Sequence, residues 1–311
     1  MDTQNNAAKF AFFYMLSLVA LVFTALSSGM IIFQIINKSI IDILEQYSGR
    51  YSADQLKFAI SALIISAPIF YITMRQIHKN LFSGALDKNS GIRKWLTYFI
   101  LLVASVVMFG WLIGTINSFL DGELTMKFIL KSITAIGISA AVFTFYFYDI
   151  RREEIAGKKS SLIRIYFYGS LAIVIAVFIA SLFFVESPTE TRNRKFDNNI
   201  ISAFEQIDGA INTYYSDNQA LPDNLDALKS EFPYIMDEDL RDPETKRAFE
   251  YNILQDNEYK LCATFRTANI DNDNYKNYYK DRWPHKSGYQ CLSQKIRQNE
   301  NNRPPLLREL K

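Results

Sequence analysis

Five apolar runs, each long enough to cross a bilayer, fill the first 185 residues, and no such run follows. A bilayer core takes about 20 apolar residues of helix, because every backbone polar group inside it has to bond within its own segment. The runs are Phe10–Ile36, Leu56–Met74, Trp95–Ile116, Phe128–Phe147 and Leu162–Val185. They predict a multi-pass α-helical membrane domain over residues 1–185. Residues 186–296 read as a small water-soluble domain. The last stretch, 297–311, "RQNENNRPPLLRELK", is polar and interrupted by proline, and is expected to be disordered.

Charge divides the chain at the same place. The first 185 residues hold 16 Lys and Arg against 10 Asp and Glu, and the remainder holds 18 against 22. In short loops, Lys and Arg collect on the cytoplasmic side. The loop after the second run carries Arg75, Lys79, Lys88, Arg93 and Lys94 against Asp87. The loop after the fourth carries Arg151, Arg152, Lys158, Lys159 and Arg164. The loop after the third, "NSFLDGELTMK", has one lysine near its end. Loops two and four are therefore expected in the cytoplasm, the N-terminus with them, and everything after Val185 outside. "TALSS" in the first run could pass for a signal-peptidase site. However, the run is longer than a typical signal h-region, and only Lys9 against Asp2 precedes it, so this span is expected to stay.

Ionisable groups at membrane depth are the default functional candidates. The runs hold few. Lys131 lies about one turn into the fourth and can snorkel to the interface. Gln34 and Asn37 lie near the end of the first, and Pro68 is expected to kink the second. His78 is placed in a basic loop and His285 in the soluble part, so no haem-binding pair is expected. Tyr146, Tyr148, Tyr166 and Tyr168 read as an interfacial aromatic belt.

The wording of the runs carries a resemblance. "FFYMLSLVALVFTALSSGMIIFQIINK", "LKFAISALIISAPIFYITMRQIHKN", "GIRKWLTYFILLVASVVMFGWLIGTINSFLDGELT" and "FYFYDIRRE" resemble a bacterial membrane family, domain of unknown function 5671. The resemblance covers spans one to four. It implies a multi-helix integral membrane domain and no particular activity.

In the soluble part, Ser187, Pro188 and Glu190 fit a helix start: a capping serine, a proline at the first helical position, and a glutamate three residues after the cap. Apolar residues then recur at Phe196, Ile200, Phe204, Ile207, Ile211 and Tyr214, which puts one stripe on one helical face. Such a stripe is expected to pack on a small sheet. The helix should end near "SDN", with a short second helix starting at Pro222. "RDPETKRAF" reads as a turn. "FEYNIL" and "EYKLCATF" read as strands around "QDN", and "GYQCLSQKI" as a third. Strict alternation places Tyr259, Leu261, Ala263 and Phe265 on one face of the second strand and Cys262 on the other.

Cys262 and Cys291 are the only two cysteines. Both fall in the part expected outside, where an oxidising compartment favours a disulfide between them. Two free thiols are the alternative if the topology is inverted.

The order helix, "YYSDNQALPDNLDAL", "DPETKRAFEY" turn and "YKLCATF" strand resembles the head of type II secretion pseudopilins and related type IV pilin-like proteins, over about Glu190 to Ile296. The resemblance implies an α+β head, a long amphipathic helix packed on a short antiparallel sheet. It departs where pilins carry their processing site, since "KKSSLIRIYFYGSLAIVIAVF" lacks both the glycine before the aromatic start and the glutamate a few residues into the helix. Some pseudopilins hold calcium near the end of the head. Here "NIDNDNYKNYYKD" gathers Asp271, Asp273 and Asp281, oxygen donors that suit calcium, but without the EF-hand order of glycine and final glutamate. A solvated loop is the favoured reading. His285 near Trp283 has no serine or acid partner in view and makes no triad.

The residues therefore imply no enzyme, no cofactor and no nucleic-acid partner. The expected partners are the lipid bilayer and envelope proteins or cell wall, met through the exposed loops of the soluble part. A transporter or channel component is one rival, and a sensor acting through a partner is another.

Overall fold

The apolar runs fold as helices that continue past their apolar centres. The computed structural model describes residues 2–40, 51–84, 86, 90–122, 124–152, 160–255, 257–270 and 282–296. The chain divides into two units, Met1–Val185 and Glu186–Lys311. In the first unit the helices are α1 (Asp2–Ser39), α2 (Ala53–Phe82), α3 (Gly91–Leu120), α4 (Met126–Arg151) and α5 (Ser161–Leu182). All five are long and apolar enough to cross a membrane.

Helices α1 to α4 are longer than the apolar runs at their centres. Helix α2 runs on through Arg75, His78 and Lys79, and α3 begins before Arg93, so residues expected in a loop are helical. The cause is local. Polar helix formers extend a helix beyond its apolar window, and hydroxyl caps set its start. The side chains of Ser52, Thr125 and Ser160 accept from the backbone N–H of Gln55, Phe128 and Ile163, which satisfies N–H groups that have no partner inside the helix. At the far end, α5 stops at Leu182, and Phe183 to Val185 close it with turns onto Ala180 and Ser181.

Successive helices alternate in direction. Arg93 at the start of α3 bonds Asp149 at the end of α4, while Trp111 late in α3 meets Phe128 early in α4. Gln34 late in α1 bonds Gln55 early in α2 at 2.7 Å. Lys38 and Tyr51 both donate to the carbonyl of Phe184, at 3.1 and 3.0 Å. One end of the bundle therefore gathers the start of α1, the end of α2, the start of α3, the end of α4 and the start of α5. The interior is aliphatic and aromatic, with Ile31, Leu56, Ala59 and Leu63 almost fully buried. Hydroxyls in it bond backwards along their own helices, as Thr24 does to Ala20 and Ser28 to Thr24, which satisfies these groups in an apolar setting. Pro68 lies inside α2, where it removes one backbone donor.

The second unit starts with α6 (Pro188–Asn218). Ser187 caps it, accepting from the N–H of Glu190 at 3.1 Å, with Pro188 in the first turn. Gln219 ends it in a left-handed conformation, φ 54°. Helix α7 (Leu225–Glu231) starts three residues later than Pro222, because Asn224 caps it from the side chain. Strands β1 (Glu250–Gln255), β2 (Glu258–Phe265) and β3 (Gly288–Lys295) form a three-stranded antiparallel sheet in the order β1-β2-β3. Glu250 faces Cys262 in one pairing, and Cys262 faces Cys291 in the other. The stripe Ile200, Phe204, Ile207 and Ile211 is fully buried against Tyr259, Leu261, Phe265 and Trp283. Phe196 and Tyr214, at the ends of the stripe, are partly buried. The "RDPET" segment is a turn held by Asp242, whose carboxylate accepts from the N–H of Glu244 and Thr245.

Candidate functional site

Two acids on the apolar stripe of α6 organise the second unit. Asp197 and Asp208 are buried, and a buried carboxylate has to be paired or fully hydrogen-bonded. Asp208 accepts from the Tyr259 hydroxyl at 2.5 Å and pairs with the Arg282 guanidinium. Burial, and then the Asp208 charge, raise the Tyr259 phenol well above its usual range. It therefore acts as a permanent donor. Asp197 accepts from the backbone N–H of Arg266 at 2.8 Å and of Thr267 at 2.7 Å, and from the Thr267 hydroxyl at 2.6 Å. One acid thus ties α6 to the middle of the sheet and the other ties it to the end of β2. Both occupy stripe positions, Asp208 four residues after Phe204 and three before Ile211. An acid at such a spacing is the sequence signal that could have found them.

Asn269 builds a third lock. Its side chain donates to the Trp283 carbonyl and accepts from the His285 N–H, both at 2.8 Å. The His285 ring stacks on Phe265 with centroids 3.9 Å apart, and its Nδ1 lies 3.0 Å from the Trp283 carbonyl. A carbonyl cannot donate, so Nδ1 carries the proton. Burial lowers the affinity of His285 for a second proton. Asp197, Asp208 and His285 are all engaged in holding the fold.

Cys262 and Cys291 form a disulfide across β2 and β3, with Cα atoms 4.0 Å apart. Asp271, Asp273 and Asp281 lie outside the described residues, as does the segment 297–311. Among the described residues no three His, Cys, Asp or Glu side chains are placed to hold a metal ion. The surface of the second unit does offer apolar side chains: Tyr234 and Met236 after α7, Ile253 and Leu254 near the β1–β2 hairpin, and Tyr289 on β3. Tyr289 also donates to Glu250 across the sheet, which holds the Glu250 carboxyl below its ordinary range.

In the first unit the sequence reading missed a buried ion pair. The Arg93 guanidinium donates to the Asp149 carboxylate at 2.7 Å and to its backbone carbonyl at 2.9 Å. Arg152 approaches the same acid at 3.5 Å. Tyr14, His78, Thr97 and Tyr146 line the small cavity of about 20 Å³ that reaches this pair. That volume suits a single water. His78 is thus corrected from a loop residue to a half-buried helical one packed on Phe145. Tyr146 is corrected too: it is buried in the core and not part of an outward belt, whereas Tyr168 is exposed. The pair joins helix ends 56 residues apart in the chain, a distance over which no local pattern operates.

Residues 11–146 match the family model described as Domain of unknown function (DUF5671). The match spans α1 to most of α4, including Tyr14, His78, Arg93 and Tyr146 but stopping short of Asp149. No curated protein and no solved structure matches the chain.

Proposed function

We propose that the protein is a non-enzymatic component of the bacterial envelope. It sits in the cytoplasmic membrane with its N-terminus inside and holds a pilin-like α+β head outside, for contact with protein or cell-wall partners. The observation that carries this reading is the uneven charge of the two bundle ends. Lys9, Arg75, Lys79, Arg93, Lys94, Arg151, Arg152 and Arg164 lie toward the end where Arg93 meets Asp149. Toward the other end, among the described residues, Lys38, Lys57, Lys127 and Lys131 are offset by Asp54 and Asp121. Basic residues near span ends favour the cytoplasmic side. The chain continues past Val185 from the less basic end, and the second unit carries a disulfide, a bond that persists in oxidising compartments.

The pilin-like reading is supported by the capped amphipathic α6 lying on an antiparallel sheet, with the α7 and Asp242 turn segments between them. Fibre assembly is not part of the proposal. Ser187 starts α6 as a helix separate from α5, and five spans tether the head. The exposed apolar residues Tyr234, Met236, Ile253 and Leu254 are the contact surface we assign.

Intact cells are to be treated with a membrane-impermeant thiol reagent before and after reduction. Cys262 and Cys291 are expected to label only after reduction and without lysis. Labelling that requires lysis would reverse the orientation. Labelling without reduction would remove the disulfide. A second reading, as part of a transporter or channel, draws on the buried Arg93–Asp149 pair at one end of the bundle, since buried ionisable groups in spanning helices are functional candidates. Solute flux in liposomes that depends on this pair would support it.

A further inference from the structure

A cleft of about 1010 Å³ runs between α2 and α5 of the first unit, at the upper end of the roughly 300–1,000 Å³ typical of small-molecule sites. Its floor is where the two helices touch: the Tyr71 hydroxyl donates to Ser170 at 3.1 Å, and the Tyr71 ring meets Phe167 edge-on at 5.4 Å. Its length is apolar, lined by residues such as Ile72, Leu171 and Ile175. Its mouth is not. Arg75 and Lys79 stand one turn apart on α2, Arg164 opens α5, and Arg152 comes in from the end of α4, all on the same cleft. Arg75, Lys79 and Arg164 are exposed, and none has an ion-pair partner among the described residues. Ser160, the cap of α5, lies at the same mouth, so the positive end of that helix points there as well. Arg93, by contrast, is committed to Asp149.

A long apolar slot whose mouth carries cations without an ion-pair partner among the described residues matches one chemistry, a lipid with an anionic phosphate head and hydrocarbon tails. Basic pockets between spanning helices recognise such headgroups, and arginine forms two parallel bonds to phosphate. We propose that the α2–α5 cleft binds an anionic phospholipid, with its tails along Ile72 and Ile175 and its phosphate on Arg75, Lys79 and Arg164. The proposal does not depend on which side of the membrane the mouth faces.

The full chain in detergent can be examined by native mass spectrometry with equal amounts of phosphatidylglycerol and phosphatidylethanolamine of matched tails. Phosphatidylglycerol is expected to be retained at least about tenfold better, because charge attraction at an interface is strong and local. The triple change R75Q/K79Q/R164Q should reduce that preference to about twofold or less, with R164Q alone giving an intermediate value should the triple variant fold poorly. Ile175→Trp, which narrows the slot and leaves the mouth intact, should lower retention of both lipids. Equal retention of the two lipids by the native chain would overturn the proposal, as would a preference that survives loss of the three cations. Displacement by millimolar inorganic phosphate, together with indifference to Ile175→Trp, would mark a free-phosphate site and overturn it equally.

Discussion

The two units bury an acid beside an arginine, yet their surfaces are opposite in kind. In the head, α6 presents one apolar stripe to the sheet and a polar face to water, and Asp208 sits inside that stripe. In the membrane unit, apolar side chains point outward, with Phe58, Ile65, Ile72, Trp95, Phe109 and Phe183 61–82 % exposed, while Asp149 lies at a helix end. In water, removal of apolar surface drives the packing of the helix. In a bilayer the lipid is as apolar as the side chains, so helices associate through close packing and a few polar contacts. Helix α5 shows the second case: Ser181 is its one buried residue among those described, and Ser170 reaches across to Tyr71. The same ionic motif is therefore a lock inside a hydrophobic core in one unit and one of few specific contacts in the other.

Deleting one partner in each unit should separate the two kinds of packing by the largest margin. Asp208→Ala leaves a partly buried Arg282 charge and an unmet Tyr259 hydroxyl, and is expected to destabilise the head by about 3–5 kcal/mol. Trp283 is the only tryptophan of the second unit, so in a Trp95→Phe/Trp111→Phe background its emission on denaturant titration reports head unfolding alone. Arg93→Leu leaves Asp149 with Arg152 at 3.5 Å. Its loss should fall at or below the lower end of the same range, and Asp149→Leu added to it should restore most of the stability. A head that tolerates Asp208→Ala within about 1 kcal/mol would show that Asp208 does not hold the core.

The disulfide comes next in size. Cys262 and Cys291 are 29 residues apart, and closing such a loop stabilises by about 3–4 kcal/mol in the chain-entropy model. Reduction, or the double change to alanine, should lower the melting temperature of the head and leave that of the membrane unit where it was. Equal shifts in both units would indicate that they unfold together.

Particular residues explain what could be read in advance. The five spans follow from uninterrupted apolar length, which is a local property. The start of α6 at Ser187–Pro188–Glu190 is local capping chemistry. The strands around Tyr259 and Leu292 are local alternation. The extents of α2 and α3 escaped, because Arg75 to Lys79 and Gly91 to Lys94 are polar enough to look like loop while being good enough as helix. The start of α7 escaped because Asn224 outcompetes Pro222 as the determinant of the first turn. The Arg93–Asp149 pair and the α2–α5 cleft escaped because they are made by chain segments that meet only after folding. Asp208 was legible in principle, since an acid spaced into an apolar stripe has to have a buried partner, but Arg282 could not be named from the chain alone.

The smallest of these effects separates the units by pH. Burial holds the His285 side chain neutral in the folded head, with its second-proton affinity lowered from the usual value. The unfolded chain takes up that proton at about pH 6.5, while the folded head does not until lower pH. The stabilisation from a neutral His285 is therefore complete above that value and is lost as pH falls toward the folded-state pKa. Asp237 does not blur this window, because Arg241 and Lys229 hold its carboxyl down to about 2. The head's melting temperature should be flat above about pH 7.5 and decline between about pH 7 and 5, by less than disulfide removal produces. His285→Gln should flatten that decline while lowering stability at neutral pH, since the stack on Phe265 is lost. A decline that persists unchanged in His285→Gln would move the pH response to another group and leave the Asn269 lock as a purely geometric feature.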